Sequence, residues 1–213
     1  MKRYNLPSIH QQIDTVILAN GEFPSHPVAL SILNNSKWLV CCDGAIDNLV
    51  KTKRIPDAIV GDCDSLSEEN KIRFADIIHR IPEQETNDLT KAVLFCLQHG
   101  REKITILGAT GKREDHTIAN VGLLCEYMKR TDVEMITDYG IFVAIDSDSI
   151  FESSPKQQVS LFCIDRNAVT SHNLAYPIDT QIFTNWWQAT LNESTSDEFR
   201  IDTTGRMIVY RAF

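Results

Sequence analysis

The sequence predicts an α/β protein in two parts: an N-terminal, mostly parallel sheet with flanking helices, Rossmann-like, and a smaller C-terminal all-β sandwich. Three observations point there. From Asp14 to about Thr137, short apolar runs of strand length alternate with amphipathic stretches of helix length, the rhythm of βαβ units. Past Tyr139 that rhythm gives way to alternating strand-like pieces broken by turn residues such as Ser153-Ser154-Pro155 and Thr204-Gly205-Arg206. The 213 residues are 43% hydrophobic, enough apolar material to give both parts a core. A first domain over 1–138 and a second over 139–213 are therefore expected.

Along the first part, Thr15–Ala19, Trp38–Cys42, Ala58–Val60, Ile77–Ile81, Ile104–Leu107 and Glu134–Thr137 read as strands. Pro27–Leu33, Ala45–Lys51, Ser67–Ala75, Asp88–His99 and Thr117–Lys129 read as the helices between them. In the fourth helix, Leu89, Ala92, Val93, Phe95, Cys96 and Leu97 form the apolar face. In the second part the strands expected are Ile141–Ile145, Gln158–Ile164, Ala189–Asn192, Phe199–Ile201 and Met207–Tyr210.

A formal net charge of -8 without any Lys/Arg run argues against nucleic acid or an anionic membrane as partner, because both reward a basic face. No stretch approaches the roughly 20 apolar residues that span a bilayer. The polar start around Lys2, Arg3, Asn5 and His10 lacks a signal-peptide core, so a cytoplasmic protein is expected. Cys41, Cys42, Cys96 and Cys125 lie inside apolar runs, and no CxxC pair exists. Buried free thiols fit that pattern better than disulfides or a zinc site.

Acidic residues fall where the predicted strands end, at the edge where open α/β sheets bind ligands. Asp43-Gly44 closes one strand, and Gly61-Asp62-Cys63-Asp64 closes another with carboxylates at i and i+2, which project to one side of an extended chain. Carboxylates that close repel unless a cation lies between them, and Mg²⁺ prefers such oxygens together with phosphate and water. Gln84 to Lys91 opens a helix, with Asp88 and Lys91 facing the same mouth. Gly108 to His116 runs from a strand through two glycines into a helix, offering backbone N–H groups to phosphate and a further acid, Asp115. It is not a Walker A loop: Ile106 stands where the first glycine is needed, and Arg113 where Ser or Thr should follow the lysine. No GxGxxG follows the first strand either.

Four segments, CDGAIDNL (42–49), PDAIVGDCDSLS (56–67), ETNDLTKAV (85–93) and ILGATGKREDHTIANVGLL (106–124), resemble the thiamine pyrophosphokinase family in order and spacing. Asn20-Gly21 is similar to the family's opening turn, Asn173 to Ile178 to its Gly-Leu-x-Tyr/Trp-Pro-Leu segment, and Thr190 to Glu193 to its Thr-Ser-Asn-Glu. The resemblance implies transfer of pyrophosphate from ATP to the hydroxyl of thiamine, giving thiamine diphosphate and AMP. It implies that Asp43, Asp62, Asp64 and Asp88 hold Mg²⁺ and the triphosphate and carry the catalysis. Gln84, Asn87 and the loop of Gly108, Thr110 and Gly111 would lie near the nucleotide, with Asp115 and His116 completing the rim. Lys91 and Arg113 are counter-charges for the chain being cut, and Asp62 or Asp64, or the metal network they hold, would receive the hydroxyl proton. The family's homodimer implies that the β part helps form the thiamine pocket, with Asn192 and one ring of Trp186-Trp187, here Trp187, against the vitamin.

This chain departs from the family at Asn87 and Glu85, where Thr and Asp are usual, and at Leu191 and Asn173, which replace a Ser and a Gly. Two alternatives stay open: another ATP-dependent pyrophosphokinase or kinase of a small alcohol, and a non-catalytic nucleotide-binding sensor.

Overall fold

The computed structural model describes residues 1–213 and is a mixed α/β structure. The chain divides into two compact units, Ile9–Val121 with Arg130–Asp138, and Met1–Ser8 with Gly122–Lys129 and Tyr139–Phe213. It opens with a short strand, β1 (Lys2–Tyr4), of the latter unit. The other unit then builds β2 (Thr15–Leu18), α1 (Pro27–Asn35), β3 (Trp38–Cys42), the short α2 (Ile46–Leu49), β4 (Ala58–Gly61) and α3 (Glu68–Arg73). It continues through β5 (Ile78–Arg80), α4 (Asp88–Gln98), β6 (Lys103–Leu107), the first part of α5 (Glu114–Tyr127) and β7 (Asp132–Ile136).

Its strands lie in the order β7-β6-β2-β3-β4-β5, each neighbouring pair parallel. Residues such as Ile17, Leu39, Val40, Ile59, Ile104 and Ile106 are fully buried, as strands covered on both faces require. From β2 the chain steps outward to β5, then returns to the other side of β2 with β6. All carboxyl ends therefore face one edge, and the direction reverses between β2 and β6, where open α/β sheets bind ligands. Helix starts are chemically marked: Pro27 begins α1, Ser67 caps Asn70 N–H in α3, and Asn87 caps Thr90 N–H in α4. The expected helix over Ala45–Lys51 is a single α-turn between two 3₁₀ turns.

The second unit adds β8 (Gly140–Ile145), β9 (Ser149–Glu152), β10 (Gln158–Cys163), β11 (Ala168–His172), β12 (Gln181–Ile182), β13 (Asn192–Glu193), β14 (Glu198–Thr203) and β15 (Met207–Ala212). One antiparallel ladder runs β13-β10-β15-β8, and a second sheet runs β1-β9-β14-β11-β12 with β1 parallel to β9. Residues 1–8 thus cluster away from the 1–138 domain to which the sequence reading assigns them. The ring of Tyr4 stacks on Phe151 at 5.1 Å, and buried Arg211 donates to the carbonyls of Tyr4 and Glu152. Gly122–Lys129 clusters there too, with Glu126 3.3 Å from Arg206.

The strand expected over Ala189–Asn192 is instead a 3₁₀ turn, Trp186–Ala189, followed by the short β13. A capping box between Asn185 and Gln188 closes that turn. All six cysteines are free, five of them buried, and burial pushes the Cys96 thiol up to about 12. No helix is long and apolar enough to cross a membrane.

Candidate functional site

Three of the strand-end aspartates converge in the parallel-sheet unit. Asp43 follows β3, Asp62 follows β4 and Asp88 begins α4 after β5, so parallel alignment carries all three to one edge. One carboxylate oxygen from each lies within 4.8 Å of the others. Gly61 makes the approach possible: a Cβ there would stand 2.6 Å from the Asp43 Cβ and 3.3 Å from Asp88 Oδ1.

Each carboxylate is held differently. Asp43 is 1% exposed; its Oδ2 accepts from Ser65 N–H at 3.2 Å, while its buried Oδ1 has no partner. Burial pushes its pKa up to about 6 against the Ser65 hydrogen bond, and the charges of Asp88 and Asp62 add to the rise. Asp62 accepts from Gln84 Nε2 and from Asp64 N–H, both at 3.0 Å, and these bonds, the Gln84 amide first, hold its pKa below the usual carboxylate range. Asp88 Oδ1 lies 3.3 Å from Nζ of Lys91, itself only 2% exposed.

Asp64 does not join the three. Cys63 adopts a left-handed φ of +68°, so the chain turns rather than extends and the i, i+2 alternation fails. The Asp64 side chain is exposed, and its N–H is what Asp62 binds.

Asp62 and Asp88 line a cleft of about 420 Å³, with Asp43 buried beside them. Gln84, Asn87 and Lys91 line it with them, as do Gly111, Arg113 and His116. The glycine loop is laced to the turn after β2: Gly21 N–H donates to the Gly108 carbonyl at 2.6 Å and Glu22 N–H to the Thr110 carbonyl at 2.7 Å. Gly108 and Gly111 take φ of +64° and +79°, the left-handed region glycine enters freely. Gly108 and Thr110 belong to this loop and do not line the cleft. Asp115 is exposed, paired with Arg113 at 2.6 Å, which holds its carboxyl down to about 2, and it too stays outside the lining.

Lys112 and Asn120 line the cleft without having been proposed as site residues from sequence, and Asn20, read there only as part of an opening turn, lines it too. Lys112 Nζ donates to the carbonyl and Oδ1 of Asn20 at 3.1 and 3.0 Å. The available signal for Asn120 was its i+4 spacing from His116 on α5, which puts both on one helical face.

The remaining candidates lie in the β unit. Trp186 and Trp187 occupy a 3₁₀ turn, and both rings are exposed, Trp187 by 73%. Asn192 is buried, and its amide is already engaged: Oδ1 accepts from the N–H groups of Tyr176 and Glu193, and Nδ2 donates to the Tyr176 carbonyl. These bonds staple the Asn173–Ile178 loop. Asn173 has φ +62°, so this position keeps the backbone shape a glycine would take.

Oxygen-rich, hard and one atom short of partners, the Asp43, Asp62 and Asp88 set fits a divalent cation such as Mg²⁺. Fold and site together define a two-unit α/β protein with an acidic cleft at the carboxyl edge of a parallel sheet. Residues 29–137 match the model of the thiamin pyrophosphokinase catalytic domain, and residues 140–210 that of the thiamin pyrophosphokinase substrate-binding domain. The chain belongs to the thiamin pyrophosphokinase family. It is 30% identical over 144 residues to thiamin pyrophosphokinase 1 of Caenorhabditis elegans, a match covering 61% of this chain and 57% of that protein. The corresponding protein of Oryza sativa subsp. japonica is 28% identical over 153 residues, again with 57% of its length covered. The chain thus spans little more than half the length of these relatives. Among solved structures, thiamin pyrophosphokinase from Candida albicans shares the fold with a TM-score of 0.83 at 18% identity, over 100% of this chain and 93% of that one. A thiamin pyrophosphokinase family protein from Enterococcus faecalis does so at 0.80 and 20% identity, over 94% and 99%.

Proposed function

We propose that the chain transfers the diphosphoryl group of ATP to the hydroxyl of thiamine, giving thiamine diphosphate and AMP. One observation carries the reading: three carboxylates from three separate strand ends sit within 4.8 Å of one another beside a cleft that also holds a buried lysine and a glycine loop. Asp43, Asp62 and Asp88 would hold Mg²⁺, which when bound neutralises phosphate charge and polarises the phosphorus under attack.

The hydroxyl oxygen of thiamine attacks the β-phosphorus, the bond from that phosphorus to the α,β-bridging oxygen breaks, and AMP departs with its electron pair. Asp62, kept ionised by Gln84 and the Asp64 N–H, is our choice to accept the hydroxyl proton. Asp64 itself is assigned to the solvent side of the mouth. Lys91, Arg113 and His116 face the triphosphate, and the Gly108–Gly111 loop frames it, so positioning and charge do most of the catalytic work.

We read the parallel-sheet unit as Rossmann-like and catalytic, and the β unit as a sandwich that binds thiamine and dimerises. The exposed Trp187 indole supports stacking on a cationic thiazolium, and the exposed Tyr176, Ile182, Trp186 and Leu191 support a homodimer contact. A cytoplasmic location fits this substrate pair.

The test is incubation of purified protein with Mg²⁺, ATP and thiamine. Equimolar AMP and thiamine diphosphate are expected. ADP with thiamine monophosphate would replace the reaction by single phosphoryl transfer, and nucleotide binding without turnover would make the chain a sensor.

A further inference from the structure

We propose that Asn120 is a positioning residue that sets the glycine loop for the nucleotide through a relay of two side-chain amides; this rests on the nucleotide-binding role proposed above. Thr90 N–H and Oγ1 donate to Asn87 Oδ1 at 2.9 and 2.8 Å. Asn87 Nδ2 donates to Asn120 Oδ1 at 3.1 Å, and Asn120 Nδ2 donates to the Ala109 carbonyl at 2.8 Å. The chain of bonds runs in one direction from the cap of α4, across α5, into the loop between β6 and α5.

Several observations separate this from ordinary helix packing. Asn120 is only 9% exposed, and neither of its amide groups bonds its own helix in this relay. Asparagine is a poor helix-interior residue, so a buried one in α5 is explained by what its amide does elsewhere. Its two partners both line the cleft but belong to different elements, Asn87 beside Asp88 at the start of α4 and Ala109 between Gly108 and Gly111. The amide offers an acceptor to Asn87 and a donor to Ala109; a carboxylate can only accept, so it would keep the Asn87 bond and repel the Ala109 carbonyl. The relay therefore fixes the spacing between the start of α4 and the loop before any ligand arrives, which lowers the ordering that binding must impose.

Asn120→Asp keeps the acceptor for Asn87 and loses the donor to Ala109. Asn87→Ser keeps a cap for α4 and removes the amide that reaches Asn120, without altering a buried position. Two readouts are needed: hydrogen exchange of the 108–112 amides in the ligand-free protein, and the affinity for Mg-ATP by titration, with KM and kcat alongside. In Asn120→Asp the loop amides should exchange at least about tenfold faster, and Kd and KM for the nucleotide should rise about tenfold with kcat within about threefold, because lost loop order weakens ground state and transition state alike. Asn87→Ser should move the same readouts in the same direction. Loop exchange and nucleotide Kd within twofold of wild type in both variants would overturn the proposal, whatever the change in melting temperature. If the unaltered protein binds no nucleotide, the proposed function itself falls and takes the relay's role with it; the two failures are thus told apart by the wild-type titration.

Discussion

The amine of Lys91 lies 3.3 Å from Oδ1 of Asp88, one helical turn further along α4, and is almost wholly shielded from solvent. This buried amine is held in place beside a carboxylate of the trio, whereas Arg113 is exposed and already paired with Asp115.

Lys91→Met should therefore separate function from stability. Methionine replaces the buried stem at similar volume, so unfolding free energy should change by less than about 1.5 kcal/mol. Turnover should fall by about 10²–10³-fold, the scale of losing one charge-stabilising group. Urea denaturation together with initial rates checks both halves.

Asp62→Asn should be more damaging than Asp64→Asn by at least about tenfold in kcat/KM, because only Asp62 shares the cluster with Asp43 and Asp88. Equal losses in steady-state assays of the two variants would put Asp64 back beside the metal.

The raised pKa of Asp43 fixes a pH dependence. Its folded value of about 6 exceeds the ordinary 3.8, so between these values the folded state binds more protons than the unfolded one. Without metal, this group's contribution to stability falls as pH rises through that window and is constant above it. A divalent cation needs the ionised form and relieves the repulsion. Mg²⁺ should thus raise the melting temperature clearly at pH 8 and little at pH 5, as calorimetric scans with and without the ion will determine.

In the β unit, Asn192→Ala should destabilise by about 1–3 kcal/mol, since it leaves the part-buried N–H of Glu193 and both backbone groups of Tyr176 without the amide. Trp187→Ala should change stability by less than about 0.5 kcal/mol, as exposed side chains do, yet raise the KM for thiamine. Equilibrium unfolding and substrate titration distinguish the two.

Sequence alone carried the parallel sheet nearly to its strand ends, because β2, β3, β4 and β6 are buried on both faces and appear as unbroken apolar runs. Strands β1, β9, β11 and β12 were not legible. Each is two to five residues long and half polar, and each is specified by partners distant in the chain, as Lys2 to Tyr4 is by Ser149 to Phe151. Asp43, Asp62 and Asp88 could be placed because strand ends in a parallel sheet share an edge. Asp64 could not, because the left-handed φ of Cys63 leaves no mark in residue type.

The most direct test is an anomalous difference map from crystals grown with Mn²⁺ and a non-hydrolysable ATP analogue. A metal peak bonded to the carboxylates of Asp43, Asp62 and Asp88 is the predicted result. Metal bound only elsewhere, with these three carboxylates turned apart into solvent, would contradict it.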